Sequence, residues 1–191
     1  RHHDGAVNNL CLQVIRRARF LEEEMRRQEA RPVRFDAAGF ARLTDWTPVK
    51  LKDKAGQTTG AVLDQQTGPD GRKALRVATG PDGRCVDAWR ARLVLPPGRY
   101  RFEARVRTAG VVRLEETLQA GQTLKGEGAG IRISRAKETR ANKLLGDSPW
   151  QMLSYDFEVP DPPQDVELLC ELRAAAGQAW FDLDSLRLKK N

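Results

Sequence analysis

Histidine and cysteine are scarce in this chain, and their scarcity excludes several kinds of active site. The only histidines, His2 and His3, stand together at the N-terminus, so the body of the chain has none for a Ser-His-Asp or Cys-His catalytic site. The cysteines, Cys11, Cys85 and Cys170, are too few and too widely spaced for a zinc motif or a disulfide framework. A single Cys85–Cys170 disulfide remains open if the protein is exported, and the composition is compatible with a carboxylate pair for glycoside hydrolysis.

Long apolar runs and basic clusters are also absent. No run of 18 or more apolar residues occurs, so no transmembrane helix is predicted. The formal net charge is +7, but basic and acidic residues are interleaved, as in Arg101, Glu103 and Arg105, which predicts solvated faces rather than a nucleic-acid-binding surface. The 191 residues are enough for one ordinary domain with an appendage. Because the chain begins at Arg1 and not at Met, we expect it to be a processed product or an excised piece of a longer protein.

The region from Asn8 to Arg31 has the pattern of one amphipathic helix. Four apolar residues form a stripe at helical spacing: Leu10, Val14, Leu21 and Met25. Asn8 or Asn9 can cap this helix, and Pro32 prevents it from continuing. We therefore predict that residues 1–31 form a tail and a helix, the end of a preceding region, and that residues 32–191 form a β-domain. The stripe is expected to pack on this domain or on a preceding one, because it is short for a strong coiled coil with a second copy.

The sequence after the predicted helix alternates between apolar and polar residues with the period of β-strands. In residues 150–159 the odd positions from 153 onward are apolar, and residues 99–107 and 166–174 alternate in the same way. Turn sequences separate the strands, as in the Pro-Asp-Gly segments at 69–71 and 81–83. This pattern predicts an all-β fold: an antiparallel β-sandwich preceded by one N-terminal α-helix.

Five sequence blocks carry a resemblance to a known family. In chain order they are VRFDAAGFARLTDW, LPPGRYRFEARVRT, GAGIRIS, SPWQMLSYDFEVP and AWFDLDSLRL. Residues 32–190 thus resemble the CenC-type carbohydrate-binding modules and, more broadly, the galactose-binding-like jelly rolls. The resemblance implies a non-catalytic jelly-roll domain that binds poly- or oligosaccharide within a larger exported protein, located outside the cytoplasm (secreted, periplasmic or at the cell surface). The alternative is a structural or protein-interaction domain with no sugar site that packs on a neighbouring domain.

The resemblance also implies a metal site and an aromatic ligand platform. The family often holds a structural calcium between its first and last strands, and the matching positions are Asp36 and Asp184; the alternative is a pair of strand-end acids. Sugar-binding modules use exposed aromatic faces, and Trp89 is the best candidate for such a platform. Trp89 is also in phase with Leu93 and Leu95, so a place in the core is the alternative. The other three tryptophans are expected to pack: Trp46, Trp150 and Trp180.

Outward-facing arginines are the remaining candidates for ligand binding. Strand alternation predicts that four of them are exposed: Arg101, Arg105, Arg132 and Arg173. Guanidinium groups bind carboxylates and sulfates in a bidentate manner, so such a face would suit an acidic glycan. The alternative is a solvated or protein-contacting face in which arginines form cross-strand ion pairs with residues such as Glu167 and Glu171.

Overall fold

The computed structural model describes residues 12–21, 31–50, 58–68, 70–115 and 126–191 of the chain. Residues 12–21 lie in a helix. The strands follow in chain order: β1 (Arg31–Pro32), β2 (Phe40–Arg42), β3 (Thr47–Val49), β4 (Val62–Thr67), β5 (Lys73–Ala78), β6 (Ala88–Leu95), β7 (Gly98–Arg113), β8 (Gly128–Ile133), β9 (Gly146–Val159), β10 (Gln164–Asp182) and β11 (Arg187–Lys190).

These strands form two sheets that share β10. The first half of β10 pairs with β6 and β8, and β1 and β3 pair with β6; these strands form sheet A. The second half of β10 pairs with β5 and β7, which continue to β4 and β9, while β11 and β2 extend from the other end of β7; these strands form sheet B. All pairings between the described strands are antiparallel except that of β1 with β6. The predicted fold class, an antiparallel jelly-roll sandwich with an N-terminal helix, is confirmed.

The hydrophobic core lies between the two sheets and follows the predicted alternation. The largest fully buried apolar side chains come from both sheets: Ile131, Leu168 and Leu172 from sheet A, and Leu75, Tyr100, Phe102, Phe181 and Leu188 from sheet B. On β9, Leu153 and Val159 are buried and Phe157 is half-buried, whereas Met152 and Glu158 are exposed. The predicted facing of this strand is therefore confirmed. It also fixes which side chains of sheet B point away from the core.

Residues 33–36, which follow β1, form no strand and lead into a turn. The carboxylate of Asp36 accepts hydrogen bonds from the backbone N–H groups of Ala38 and Phe40, at 2.9 and 2.8 Å. Such bonds stabilise a turn in competition with strand pairing, so the chain bends here before β2 begins. After this turn β2 pairs with the last strand, β11.

The apolar side chains of the N-terminal helix are not covered by the sandwich. Every residue from 12 to 21 is exposed, with Val14 at 61% and Leu21 at 52%. The other two residues of the predicted stripe, Leu10 and Met25, lie outside the described residues. The prediction that this segment packs on its own sandwich is therefore wrong for this structure. Packing on a neighbouring domain stays a prediction. Within the described ranges no helix is long and apolar enough to cross a membrane.

Candidate functional site

A hollow of about 420 Å³ opens on the outer face of sheet B. Its lining consists of three acids, three arginines, one serine and one methionine: Asp70, Asp182, Asp184, Arg72, Arg105, Arg187, Ser185 and Met152. The volume lies within the range of small-molecule sites, about 300–1,000 Å³. Because charges of both signs converge there, the hollow suits a polar ligand rather than an apolar one.

Strand register brings these side chains together. Arg105 on β7 lies opposite Met152 on β9, and both belong to the outward-facing sets of their strands. Arg187 on β11 lies opposite Glu103, two residues before Arg105 on the same face of β7. Asp182 ends β10, from which the turn at residues 183–185 leads towards β11. The floor of the hollow is therefore a regular sheet, and its side is a tight turn.

Asp182 is the buried anion of the hollow, with 3% of its surface exposed. One carboxylate oxygen accepts a hydrogen bond from Arg72 Nη1 at 3.1 Å, and the other accepts the backbone N–H of Asp184 at 3.1 Å. Arg72 also pairs with Asp70 at 2.9 Å. Arg105 approaches Asp182 to only 3.9 Å, beyond hydrogen-bonding distance. The guanidinium of Arg105 therefore keeps donors that a ligand can use.

A cluster of two tryptophans and one arginine lies beside the hollow. The guanidinium carbon of Arg107 lies 4.3 Å from the ring centroid of Trp180 and 5.5 Å from that of Trp150. Both distances are within the range of cation–π contacts, about 6 Å. Trp180 Nε1 donates to Gln66 Oε1 at 3.1 Å, which fixes this indole above β4 and β5. All three members of this Trp–Arg–Trp cluster are partly exposed.

The Trp–Arg–Trp cluster and the hollow form one continuous surface. Each member of the cluster lies two positions along its strand from a residue of the hollow: Arg107 from Arg105, Trp150 from Met152, and Trp180 from Asp182. Two residues of a strand span about 7 Å and point to the same face. We call this combined surface the sheet B site.

Of the two predicted ligand residues on β7, one lies in the hollow and the other lies outside it. Arg105 lines the hollow. Arg101 is on the same face of β7, but four residues away, or about 13 Å along the strand. Its Nε and Nη2 donate to the two carboxylate oxygens of Asp156 at 2.7 and 2.9 Å. This bond holds the pKa of Asp156 below its usual value, so both residues are partnered outside the hollow.

Arg132 and Arg173 lie on the outer face of sheet A and are buried, so their predicted exposure is wrong. Arg132 donates from Nε and Nη2 to the two oxygens of Glu171 at 2.9 and 3.0 Å, and Arg140 donates from Nε to the same carboxylate at 2.8 Å. The physical reason is that the loop at residues 134–145 covers this face and inserts Arg140 against it. Strand alternation identified an outward face but gave no sign of this cover.

Trp89 is a core residue, so the prediction that it offers an exposed platform is wrong. It is 5% exposed, and its Nε1 donates to the backbone oxygen of Arg76 at 2.9 Å. The bond joins β6 of sheet A to β5 of sheet B, and the indole fills the space between them. The alternative interpretation, a place in the core in phase with Leu93 and Leu95, is therefore correct.

Asp36 and Asp184 do not come together. Asp36 caps the turn at the Phe40 end of the β2–β11 pair, whereas Asp184 forms an ion pair with Arg42 beyond the other end. Calcium needs six to eight oxygen ligands at about 2.3–2.6 Å. Among the residues that the structure describes, no group of three or more His, Cys, Asp or Glu side chains could hold a metal. These residues therefore do not fit the calcium site that the resemblance implied.

Cys85 and Cys170 are free and buried, so the disulfide that the sequence left open is not formed. Burial raises the pKa of the Cys85 thiol to about 12 and raises that of Cys170 well above its usual value. Both thiols are therefore protonated and packed in the core. They contribute no reactive group to the sheet B site.

Sequence reasoning missed the aromatic part of the sheet B site. Trp150 and Trp180 were expected to pack, and Arg107 was not among the four arginines selected as ligand candidates. A signal was present, because Trp150 is in phase with the exposed Met152 and Arg107 is in phase with Arg105. The contact itself depends on the register of β7 with β9 and β10, which local patterns do not define.

A larger cleft of about 1,050 Å³ lies between the helix and the end of the sandwich. Half of its lining residues are apolar and half are polar or charged; they come from β6, from the end of β8 and from the strands around the β9–β10 turn, with Arg19 from the helix. Because every helical residue beside it is exposed, the cleft is an open gap between two elements. Its lining acid Glu167 already pairs with Arg92 at 3.0 Å, so we regard this open gap as the weaker candidate.

No protein-family model matches the sequence, and no curated protein matches it either. Among solved structures, the chain is similar to a CBM4 module, with a TM-score of 0.48 and 16% identity over 84% of this chain and 94% of that one. It is also similar to TmCBM61 in complex with β-1,4-galactotriose, with a TM-score of 0.46 and 11% identity over 78% of this chain and 91% of that one. A third is the CBM22-1 and GH10 modules of endo-1,4-β-D-xylanase 10B from Clostridium thermocellum with xylohexaose, with a TM-score of 0.42 and 11% identity over 83% of this chain and 27% of that one. With TM-scores below 0.5, these likenesses carry no argument about the ligand.

Proposed function

We propose that this chain is a non-catalytic carbohydrate-binding module that holds a poly- or oligosaccharide on the sheet B site. The observation that supports this is the continuity of the charged hollow with the Trp–Arg–Trp cluster. A sugar presents hydroxyl groups at its edge and C–H groups on its face, so a site for it needs planar polar side chains beside apolar ones. The hollow supplies the first kind and the cluster supplies the second.

Individual residues of the site have distinct roles in this proposal. Arg105 and Asp184 would exchange hydrogen bonds with sugar hydroxyls, because both line the hollow and Arg105 has no closer ion pair among the described residues. Met152, which is 47% exposed, and the neighbouring indole of Trp150 would contact the C–H face. Asp182 would position Arg72 and Arg105, since its own carboxylate is buried.

The wider setting of the module rests on the sequence resemblance alone. A carbohydrate-binding module of this kind is an accessory domain that keeps a larger protein at its polysaccharide. We therefore propose an exported parent protein, located outside the cytoplasm, whose catalytic or structural part lies in another domain.

Affinity electrophoresis through gels that contain soluble polysaccharides tests this proposal. The wild-type domain should be retarded by at least one polysaccharide, and Arg105→Ala should reduce the affinity about tenfold through loss of a charged hydrogen bond. Arg101→Ala is the matched control, because it removes the same side chain from the same face of β7 outside the hollow. Equal losses in both variants would show that the hollow is not the binding site.

The exposed helix supports a second candidate, a protein-interaction domain. Large apolar side chains on residues 12–21 are about half exposed: Leu12, Val14, Ile15, Phe20 and Leu21. These side chains are distributed around the helix, and an exposed apolar surface of this kind is typical of a protein-interaction site. If no polysaccharide binds, while replacement of Leu12, Ile15 and Leu21 by Gln releases the domain from its parent protein in a proteolysis assay, the interaction role is favoured.

A further inference from the structure

Arg107 differs from the other arginines around the sheet B site in the partners that it contacts. Each of the others lies within 4 Å of a carboxylate, in the pairs Arg72–Asp70 at 2.9 Å, Arg76–Asp64 at 2.8 Å, Arg101–Asp156 at 2.7 Å, Arg105–Asp182 at 3.9 Å and Arg187–Glu103 at 2.6 Å. The contacts of Arg107 within the described part of the chain are the two indole rings. It is therefore a cation held in place by aromatic rings and not neutralised by an acid.

The way in which Arg107 is held leaves its hydrogen-bond donors unused. Indoles contact the flat face of a guanidinium, whereas its N–H groups point outward in the plane. The Nε atom is buried and has no acceptor among the described residues. The two terminal Nη atoms also donate to none of these residues, but they are not fully buried. Because Arg107 is partly exposed, these terminal N–H groups are at the surface. A planar anion could accept from them in a bidentate manner.

We propose that Arg107 binds the anionic group of an acidic glycan, either a carboxylate or a sulfate, that lies across the sheet B site. This inference rests on the proposed function and assigns the class of ligand. Trp150 and Trp180 orient the guanidinium and shield it from water, which strengthens a charged hydrogen bond relative to one at a fully solvated site. A neutral sugar on the same surface would leave this cation unneutralised.

Matched polysaccharide pairs test this assignment by affinity electrophoresis at 150 mM salt. The charged and neutral members are polygalacturonate and its methyl ester, carboxymethylcellulose and hydroxyethylcellulose, and dextran sulfate and dextran. Wild-type protein should bind at least one charged member about tenfold more tightly than its neutral partner. The first two pairs report a preference for carboxylate, and the third reports a preference for sulfate.

Two variants separate Arg107 from the general positive charge of the domain. Arg107→Gln should abolish the preference for the charged member, whereas Arg99→Gln, which removes one charge from an exposed position on the same strand, should retain it. Equal losses in the two variants would overturn the assignment, because general charge attraction would explain both. Circular dichroism and the Tm identify a variant that does not fold. In that case Arg107→Lys decides, since an unchanged preference with lysine would refute bidentate binding by the guanidinium.

Failure of this inference differs from failure of the proposed function. If neutral and charged members bind the wild type equally well, the module binds carbohydrate but Arg107 does not select anions. If no member of any pair binds, the carbohydrate-binding proposal fails and the assignment of Arg107 fails with it.

Discussion

Glu171→Gln is expected to be the most destabilising single substitution of a charged residue in this domain. Glu171 is 1% exposed and accepts three hydrogen bonds from two guanidinium groups, those of Arg132 and Arg140. Arg140 also donates to the backbone oxygens of Gly128, at 2.8 Å, and of Asn142. The carboxylate thus joins β10, β8 and the loop that covers sheet A.

The expected loss follows from the burial of these charges. Glutamine has nearly the same size as glutamate, so no cavity is created, but two buried guanidinium groups lose their counter-charge and one of them faces an amide N–H. Breaking a buried ion pair from one side costs about 3–5 kcal/mol, because the remaining charge is desolvated without compensation. We expect the free energy of unfolding to fall by about this amount.

Urea denaturation followed by tryptophan fluorescence measures this loss, and Glu167→Gln is its matched control. Glu167 lies four residues earlier on the same face of β10 and pairs with Arg92 at 3.0 Å, but its side chain is 22% exposed. Solvent screens such a pair more strongly, so we expect a loss of about 1 kcal/mol or less. A Glu171→Gln effect no larger than the Glu167→Gln effect would refute the reasoning from burial.

The pH dependence of the free energy of unfolding gives an independent test, because it shows whether Glu171 stabilises the fold as a charged carboxylate. Burial alone would raise the pKa of Glu171, but the charges of Arg140 and Arg132 outweigh burial and hold it below its usual value. A group whose pKa is lowered by folding stabilises the protein above its unfolded pKa, about 4.3, and loses this contribution as the pH falls through the folded value. The stability difference between wild type and Glu171→Gln should therefore be full at neutral pH and shrink below about pH 4. A difference that grows on acidification would contradict this assignment.

Three further predictions concern the core, the thiols and calcium. In urea denaturation, Phe102→Ala should cost about 3–5 kcal/mol, the half-buried Phe157→Ala less, and the exposed Glu158→Ala less than about 0.5 kcal/mol; equal losses at 102 and 158 would contradict the described facing. In a Cys11→Ser background, the raised pKa values of Cys85 and Cys170 should prevent reaction with a thiol reagent at pH 8 until the protein unfolds, and rapid labelling of the native protein would show that the thiols are accessible. EDTA and millimolar calcium should give the same Tm, because Asp36 and Asp184 lie apart; a rise with calcium would reveal a site that this geometry does not provide.

Strand facing could be predicted from the sequence because it is a local property. A side chain on a strand points to the opposite face from its neighbour whatever the strand pairs with, so the inward set on β7 and the outward set on β9 followed from spacing. The turns could be predicted for the same reason. Gly71 and Gly83 both have positive φ angles, 76° and 68°, which only glycine adopts at little cost.

Exposure could not be predicted in the same way, because it depends on what lies above a face. The residues of β10 alternate as expected, yet Glu171 and Arg173 on the outward side are as buried as core residues. Arg140 binds the Glu171 carboxylate, and it comes from the loop at residues 134–145, whose position above this face no local pattern predicts. An outward-facing charge was therefore taken for a solvated one. Trp89 shows the converse, since a large aromatic with a polar N–H was taken for a surface platform although its in-phase neighbours are apolar.

The sheet B site is defined by pairing over long sequence distances, and this explains why only parts of it were foreseen. Arg107, Trp150 and Trp180 come from three strands, and they meet because β10 crosses from one sheet to the other and sets β7 beside it in a particular register. A shift of that register by one residue would turn Trp180 into the core and dissolve the cluster. The bulges between β7 and β9 have the same importance, since they occur next to Arg107 and direct Trp150 towards it. The aromatic contacts that distinguish this surface therefore depend on the assembled sandwich and not on local spacing. For this reason we expect the choice of ligand to depend on Arg107, and not on the arginines selected from spacing alone.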